Sequence, residues 1–146
     1  MKKLMILTTI LMALGISTAF ADNDKPIAVT QLPQKAQLFI KTHFPKEKVA
    51  LAKLERDFLE TRYEVVFTNG SKVEFLKDGE WKEVECKYST VPTAIIPVQI
   101  ASYVSQNYPD TQIVQIDRDK RDYEVKLTNR LELTFDLNFN LIDIDD

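Results

Sequence analysis

Two segments of this chain carry apolar residues at the spacing of an amphipathic helix, and both segments start and stop in the same way. The apolar positions are Ala36, Phe39 and Ile40 in the first segment and Ile100, Tyr103 and Val104 in the second. Pro33 and Pro97 precede them, and proline is favoured at the start of a helix. Proline also disfavours helical geometry in the residue before it. The helices are therefore predicted to end at Phe44-Pro45 and Tyr108-Pro109.

Four strand-like segments follow each predicted helix. The first set is Val49–Arg56, Thr61–Phe67, Lys72–Leu76 and Trp81–Lys87; the second is Ile113–Asp117, Asp122–Leu127, Leu131–Phe135 and Leu141–Asp145. Asn69-Gly70 and Asp78-Gly79 are strong hairpin signals, and Asn129-Arg130 and Asn138-Phe139-Asn140 are weaker ones. Because tight hairpins join antiparallel strands, each set is predicted to form a four-stranded meander.

Alternation along these strands separates an apolar face from a polar face. The apolar positions include Tyr63, Val65, Phe67, Val73, Phe75 and Val84, and they match Tyr123, Val125, Leu127, Leu133, Phe135 and Ile144. Arg62 and Glu64 point the other way, as do Glu124 and Lys126. A sheet of this kind is expected to carry helices on one face and to leave the other open to water.

The two sets are repeats of one another. The segment Pro33–Pro45 aligns with Pro97–Pro109 at an offset of 64 residues, and Tyr63-Glu64-Val65 aligns with Tyr123-Glu124-Val125 at an offset of 60. The predicted fold class is α+β, with two tandem repeats at about 26–88 and 91–146. Each repeat is a helix plus a four-stranded antiparallel meander, and together they form an extended sheet with helices on one face. This duplication predicts an architecture but no chemistry.

The N-terminus has the pattern of a secretory signal. Lys2 and Lys3 precede an apolar run, and Ala19-Phe20-Ala21 offers small residues for cleavage after Ala21. We expect residues 1–21 to be removed, and residues 22–146 to form one periplasmic or secreted domain that does not insert into a membrane. Without Lys2 and Lys3, 17 basic side chains remain against 22 acidic ones, a net charge of −5. That charge disfavours nucleic-acid binding.

The fold-shaping residues resemble those of a known family. They are Leu32-Pro33, Phe44-Pro45, Tyr63-Glu64-Val65-x-Phe67, Val73-x-Phe75 and Asp78-Gly79-x-Trp81. This pattern resembles the PepSY-like, beta-lactamase-inhibitor-like domains of exported bacterial proteins. The resemblance implies tandem helix-plus-four-strand units with helices on one face of a curved sheet, and it implies a periplasmic or secreted location. It implies no catalytic activity, and related PepSY modules are suspected of restraining proteases. In the second repeat, Leu141 replaces Trp81 and Asn138-Phe139 replaces Asp78-Gly79.

Individual reactive residues do not form a catalytic or metal-binding pattern. Cys86 is the only cysteine and is interpreted as a core residue rather than a nucleophile. His43 is the only histidine and is interpreted as a helix-end residue, because neither a triad nor a zinc site can be built around it. The acidic C-terminal strand with Asp143 and Asp145, together with Asp136, is interpreted as a solvated edge rather than a calcium site. No cofactor or metal is predicted.

Paired carboxylates are the remaining route to catalysis. Glu64, Glu74, Glu83 and Glu124 lie on the predicted open face, where glycoside hydrolysis would need two of them. They alternate with lysines and arginines, so cross-strand charge pairing accounts for them. The protein is therefore predicted not to be an enzyme.

Trp81 has two possible positions. If strand alternation holds from Val84, the indole lies on the open face and can anchor a partner; a bulge would place it over the edge of the core instead. The leading hypothesis is a binding module, with an inhibitor role among its possibilities. It holds an unidentified periplasmic or secreted protein or peptide through the open face. Its candidate binding residues are Trp81, Arg62, Glu64, Glu83 and Lys126.

A second hypothesis uses the junction between the repeats. A groove lined by Tyr88, Val91, Ile95 and Ile96 would hold a small apolar ligand or a second molecule of the protein. The oligomeric state distinguishes the two hypotheses.

Overall fold

A computed structural model describes residues 24–146. The predicted signal sequence and its cleavage site after Ala21 lie outside the described residues. The strands are β1 (Asp24–Ile27), β2 (Val49–Arg56), β3 (Thr61–Phe67), β4 (Lys72–Leu76), β5 (Trp81–Glu85), β6 (Ile113–Arg118), β7 (Asp122–Leu127), β8 (Glu132–Asp136) and β9 (Leu141–Asp145). The helices are α1 (Gln34–His43) and α2 (Val98–Asn107). Within residues 24–146, neither helix is long and apolar enough to span a bilayer.

All nine strands form one open sheet in chain order, and every neighbouring pair is antiparallel. The prediction of a mixed fold with an antiparallel sheet is confirmed. The two halves of the chain meet where β5 pairs with β6, and only three residue pairs form this seam. Strand β1 was not predicted; it pairs with β2 and adds one strand before the first helix.

The hydrophobic core lies between the two helices and one face of the sheet. Phe39 of α1 meets Phe75 edge to face at 5.5 Å, and Tyr103 of α2 meets Phe135 in the same way at 5.4 Å. Phe75 and Phe135 are completely buried. We call this side of the sheet the helix face and the other side the open face. The predicted alternation is therefore correct for β3, β4, β7 and β8.

Ile144 departs from the predicted pattern. It was matched with Val84, which is fully buried, yet Ile144 is 48 % exposed. The reason is position in the sheet: Val84 lies on a central strand, whereas β9 is an edge strand paired only with β8.

The segment between the halves belongs to the core. Val91, Ile95 and Ile96 are buried, and Tyr88 is 76 % exposed. These four residues therefore do not line a common groove, and the predicted lining of a junction groove is wrong. Their apolar character reflects the closing of the core between β5 and α2.

A bulge in β5 decides the position of Trp81. Glu74 pairs with Glu83, but the next residue of β4, Phe75, pairs with Trp81, so β5 contains one extra residue at this point. Phe75 points into the core, and the indole of Trp81 lies 6.4 Å from the ring of Phe39. Of the two positions predicted for Trp81, the structure has the one at the edge of the core.

Candidate functional site

The open face carries a row of carboxylates on five adjacent strands. Glu64 pairs with Glu74, Glu74 with Glu83, Glu83 with Asp117, and Asp117 with Glu124. Neighbouring strands are about 4.8 Å apart, so this carboxylate row extends over about 19 Å. Like charges directly opposite one another on a sheet are destabilising. Such a row needs either compensating cations or another reason to be present.

Basic side chains compensate three members of the row. Arg62 contacts Glu74 at 2.9 Å. Lys82 contacts Asp117 at 2.6 Å. Lys53 lies 3.7 Å from Glu64 and also contacts Asp24 and Glu55. These pairs explain how carboxylates on β3, β4 and β6 are tolerated directly opposite their acidic neighbours.

The other two members, Glu83 and Glu124, form no ion pair with any residue in 24–146. Glu83 accepts a hydrogen bond of 2.7 Å from Nε2 of Gln115. Burial, followed by the neighbouring charge of Asp117, raises the pKa of Glu83. Burial raises the pKa of Glu124 as well, and Glu132 adds to the effect. The row therefore lacks ion pairs at two positions, Glu83 on β5 and Glu124 on β7, on either side of the paired Asp117.

A small cavity lies at the β7 end of the row. It has a volume of about 170 Å³ and is lined by Gln115, Asp117, Glu124, Lys126 and Glu132, with Val125. Three of the lining side chains are carboxylates, which accept hydrogen bonds from ammonium or guanidinium groups. Since Lys126 is the one basic residue among the lining side chains, the cavity is acidic on balance.

Trp81 takes part in a contact across the seam between the halves. The guanidinium carbon of Arg118 lies 3.9 Å from the centre of the indole ring, a cation–π geometry. Nε of Arg118 donates to the carbonyl oxygen of Trp81 at 2.8 Å, and its Nη2 donates to Glu80 at 3.0 Å. These contacts fix β6 against β5 at the end of the sheet where the seam has no further ladder pairs.

A larger groove opens beside this contact. It has a volume of about 670 Å³, and we call it the junction groove. Leu76 and Trp81 give it apolar surface. Both basic and acidic side chains surround them: Arg62, Lys82, Arg118 and Lys120, with Glu60, Glu80 and Asp119. It lies where β5 of the first half meets β6 of the second. The junction between the halves thus contains a groove, but on residues other than those predicted for it.

The structure separates the predicted binding residues into two groups. Arg62, Glu64 and Glu83 lie on the open face, and Lys126 lies in its second half beside the 170 Å³ cavity. Trp81 is on the other side of β5. Sequence reasoning missed Asp117 and Arg118. Alternation around Ile116 indicates the face of Asp117, but nothing in the sequence indicates that Arg118 covers Trp81.

The two lone reactive residues are both in structural positions. Cys86 is buried, and burial raises the pKa of its thiol, which disfavours the nucleophilic thiolate. His43 is the last residue of α1 and lies 4.5 Å from the ring of Phe39; burial lowers its pKa. Across residues 24–146, no three acidic, histidine or cysteine side chains are grouped to hold a metal ion.

Comparisons with known proteins agree with this architecture. Residues 61–143 match the family model described as "Putative beta-lactamase-inhibitor-like, PepSY-like". A "putative calcium-regulated periplasmic protein" from Bacteroides thetaiotaomicron is 66 % identical with a TM-score of 0.83, over 84 % of this chain and 97 % of its own. A "putative periplasmic protein" from Bacteroides vulgatus is 60 % identical with a TM-score of 0.83, over 87 % and 100 %.

A second Bacteroides vulgatus protein, described as periplasmic and of unknown function, is 37 % identical with a TM-score of 0.81, over 84 % of this chain and 99 % of its own. No curated protein gives a significant sequence match. None of these three descriptions names an enzyme.

Proposed function

Since this chain belongs to the PepSY-like, beta-lactamase-inhibitor-like family, we propose that it is a periplasmic, non-enzymatic binding module. Its open face holds a basic, extended segment of another protein or of a peptide. The periplasmic location is supported by the descriptions of the similar structures and by the signal-like residues 1–21. The proposal treats the chain as two helix-plus-four-strand units that share one binding face.

The carboxylate row is the observation that carries this proposal. If the open face only kept the protein in solution, placing five carboxylates directly opposite one another would not stabilise the sheet. Alternating charges would be more stable. Glu83 and Glu124 are partly desolvated and form no ion pair within residues 24–146; Lys72 acts on Glu83 only at longer range, because it pairs with Glu85. A basic side chain of a partner would supply that countercharge, which gives both affinity and selection for positive segments.

The spacing of the row suggests the form of the segment. Glu83 on β5 and Glu124 on β7 are two strands apart, about 10 Å. In a polyproline II segment, side chains three residues apart point the same way and are about 9 Å apart. A peptide with arginines at positions i and i+3 therefore presents one guanidinium to each carboxylate.

Calcium is the competing ligand to consider, because one similar protein is described as calcium-regulated. In this chain, the carboxylates of the row are distributed along it and are not gathered around one point. A divalent cation would then act by screening the row, and we expect millimolar calcium to weaken the binding of a basic peptide.

The test is a titration of the protein with a fluorescent peptide that carries arginines at i and i+3, followed by anisotropy. The double variant Glu83→Gln/Glu124→Gln should bind at least about 10-fold more weakly, because it removes both uncompensated charges. The control is Asp110→Asn/Asp146→Asn, which changes the net charge equally at exposed positions away from the row. This control should bind like the natural protein. An absence of saturable binding by the natural protein, or an equal loss in the control, would show that the proposal is wrong.

A further inference from the structure

The hairpin between β2 and β3 ends in two exposed apolar side chains. Phe58 is 95 % exposed and Leu59 is 81 % exposed. We call this pair the apolar tip. Two adjacent large apolar side chains in water, at the end of a well-formed sheet, are typical of an interaction surface.

The turn itself does not require an apolar tip. Oδ1 of Asp57 accepts hydrogen bonds from the backbone amides of Leu59 and Glu60, both at 2.8 Å. In the second half, Oδ1 of Asp119 accepts from the amides of Arg121 and Asp122 at 2.7 and 3.1 Å. The same turn is therefore built in both halves by the aspartate, and its tip residues are Phe58-Leu59 in one and Lys120-Arg121 in the other. Since either pair fits the backbone, the apolar pair needs an explanation outside the fold.

The apolar tip lies beside the junction groove. The hairpins β2–β3, β4–β5 and β6–β7 are at the same end of the sheet, because successive strands alternate in direction. Glu60, next to the tip, lines one side of the groove, and Lys120 lines the other. Lys120 makes no ion pair within residues 24–146. Leu76 and Trp81 form the floor of this groove, whose volume is about 670 Å³. The exposed Phe58-Leu59 pair lies at its border.

A tip and a groove on the same end of one molecule are self-complementary under a twofold axis. In an isologous dimer, the same patch of each molecule meets the other, so each tip can enter the partner's groove. Two Phe-Leu pairs and the groove walls covering them amount to on the order of 1,000 Å², near the lower limit for a specific interface. The carboxylates Asp57 and Glu60 flanking each tip would also approach Lys120 on the rim of the other groove.

We propose that this protein forms a twofold dimer in which Phe58 and Leu59 of each molecule fill the junction groove of the other. The proposal concerns the hairpin end of the sheet and does not depend on the partner of the open face. It places a second molecule at the junction between the halves, on the solvent-facing side of Trp81 at the edge of the core.

The chain provides its own reporter, because Trp81 is its only tryptophan and forms part of the groove. Sedimentation velocity and tryptophan emission are measured together on residues 22–146, from low micromolar to submillimolar concentration. The expected result is a rise in mass from monomer to dimer, with a shift of the emission to shorter wavelength over the same concentration range, because the partner's tip removes water from the indole.

The decisive variant is Phe58→Ser/Leu59→Ser, whose changes are too exposed to disturb the core. Self-association should weaken by on the order of 100-fold, and the emission shift should disappear with it. Val98→Ser, at a site that is 75 % exposed on α2, should leave both unchanged. If sedimentation shows a monomer at every concentration, the proposal is wrong. This holds even if the tryptophan emission of that monomer is shifted because the tip enters its own groove. A dimer that persists in the tip variant would overturn it equally.

Discussion

Replacing Glu83 by glutamine should stabilise the folded protein at neutral pH, because Glu83 lies opposite Glu74 on β4 and Asp117 on β6. Each like-charged pair costs roughly 0.2–1 kcal/mol on a sheet. Solvent screens the half-exposed row, so we expect a gain of about 1 kcal/mol in the free energy of unfolding. Glutamine keeps the length of the side chain and an oxygen that accepts the hydrogen bond from Gln115.

The gain should depend on pH in a defined direction. Burial, and then Asp117, raise the pKa of Glu83 in the folded state. The folded protein therefore binds this proton more tightly than the unfolded chain, and stability falls as pH rises from about 4.3 through the higher folded value. The Glu83→Gln variant does not lose stability in this way as the pH rises. Its advantage should grow as pH rises through the folded pKa of Glu83 and should disappear at pH values well below about 4.3, where Glu83 is protonated in both states.

The assay is urea unfolding of both proteins across this pH range, and the control is Glu80→Gln, in the turn just before the same strand. Lys35, assisted by Arg118, lowers the pKa of Glu80, so its charge stabilises the fold at neutral pH. Glu80→Gln should lower stability at pH 7 by less than about 1 kcal/mol, since these ion pairs are exposed. If Glu83→Gln is no more stable than the natural protein at pH 7, or gains equally at pH 4, the electrostatic account of the row is wrong.

Three further predictions concern the backbone and the core. Gly79→Ala should destabilise by about 2–4 kcal/mol in urea unfolding, since φ is +92° there and a Cβ would lie 2.9 Å from Pro33 and Lys35. Arg130→Gly should stabilise by about 1 kcal/mol in the same assay, because Arg130 has a φ of 74°; an unchanged midpoint would contradict this. Cys86 should react with a thiol reagent only at the rate of unfolding, because it is 1 % exposed; fast labelling of the folded protein would contradict this.

Much of the sheet could be predicted from the sequence because its signals are local. The bounds of β3, β4, β7 and β9 agree with prediction, since Asn-Gly and Asp-Gly turns flank β3 and β4 and weaker asparagine turns flank β7 and β9. Strand β1 was missed because Pro26 interrupts a four-residue segment, and such short edge strands depend on their neighbour for stability. In this case the neighbour, β2, is remote in sequence.

The candidate site was less predictable because it depends on register. The bulge that moves Trp81 to the core edge depends on the register between β4 and β5, and no single residue predicts it. The carboxylate row is similar. The four glutamates were predicted on the open face, but only the pairing of five strands shows that they lie, together with Asp117, directly opposite one another. Basic residues near them in sequence suggested a compensation that Glu83 and Glu124 do not have.

The order of strands in the sheet also bears on how fast the protein folds. Since every strand pairs with its neighbours along the chain, most pairings close short loops, and topologies of low contact order fold quickly. Two pairings close longer loops, β1 with β2 across α1 and β5 with β6 across α2, and the loop between β5 and β6 is the longer one. Loop closure is entropically more costly there, and three residue pairs offer little enthalpy in return. Folding kinetics should therefore be limited by the joining of two preformed halves, with Arg118 against Trp81 among the last contacts to form.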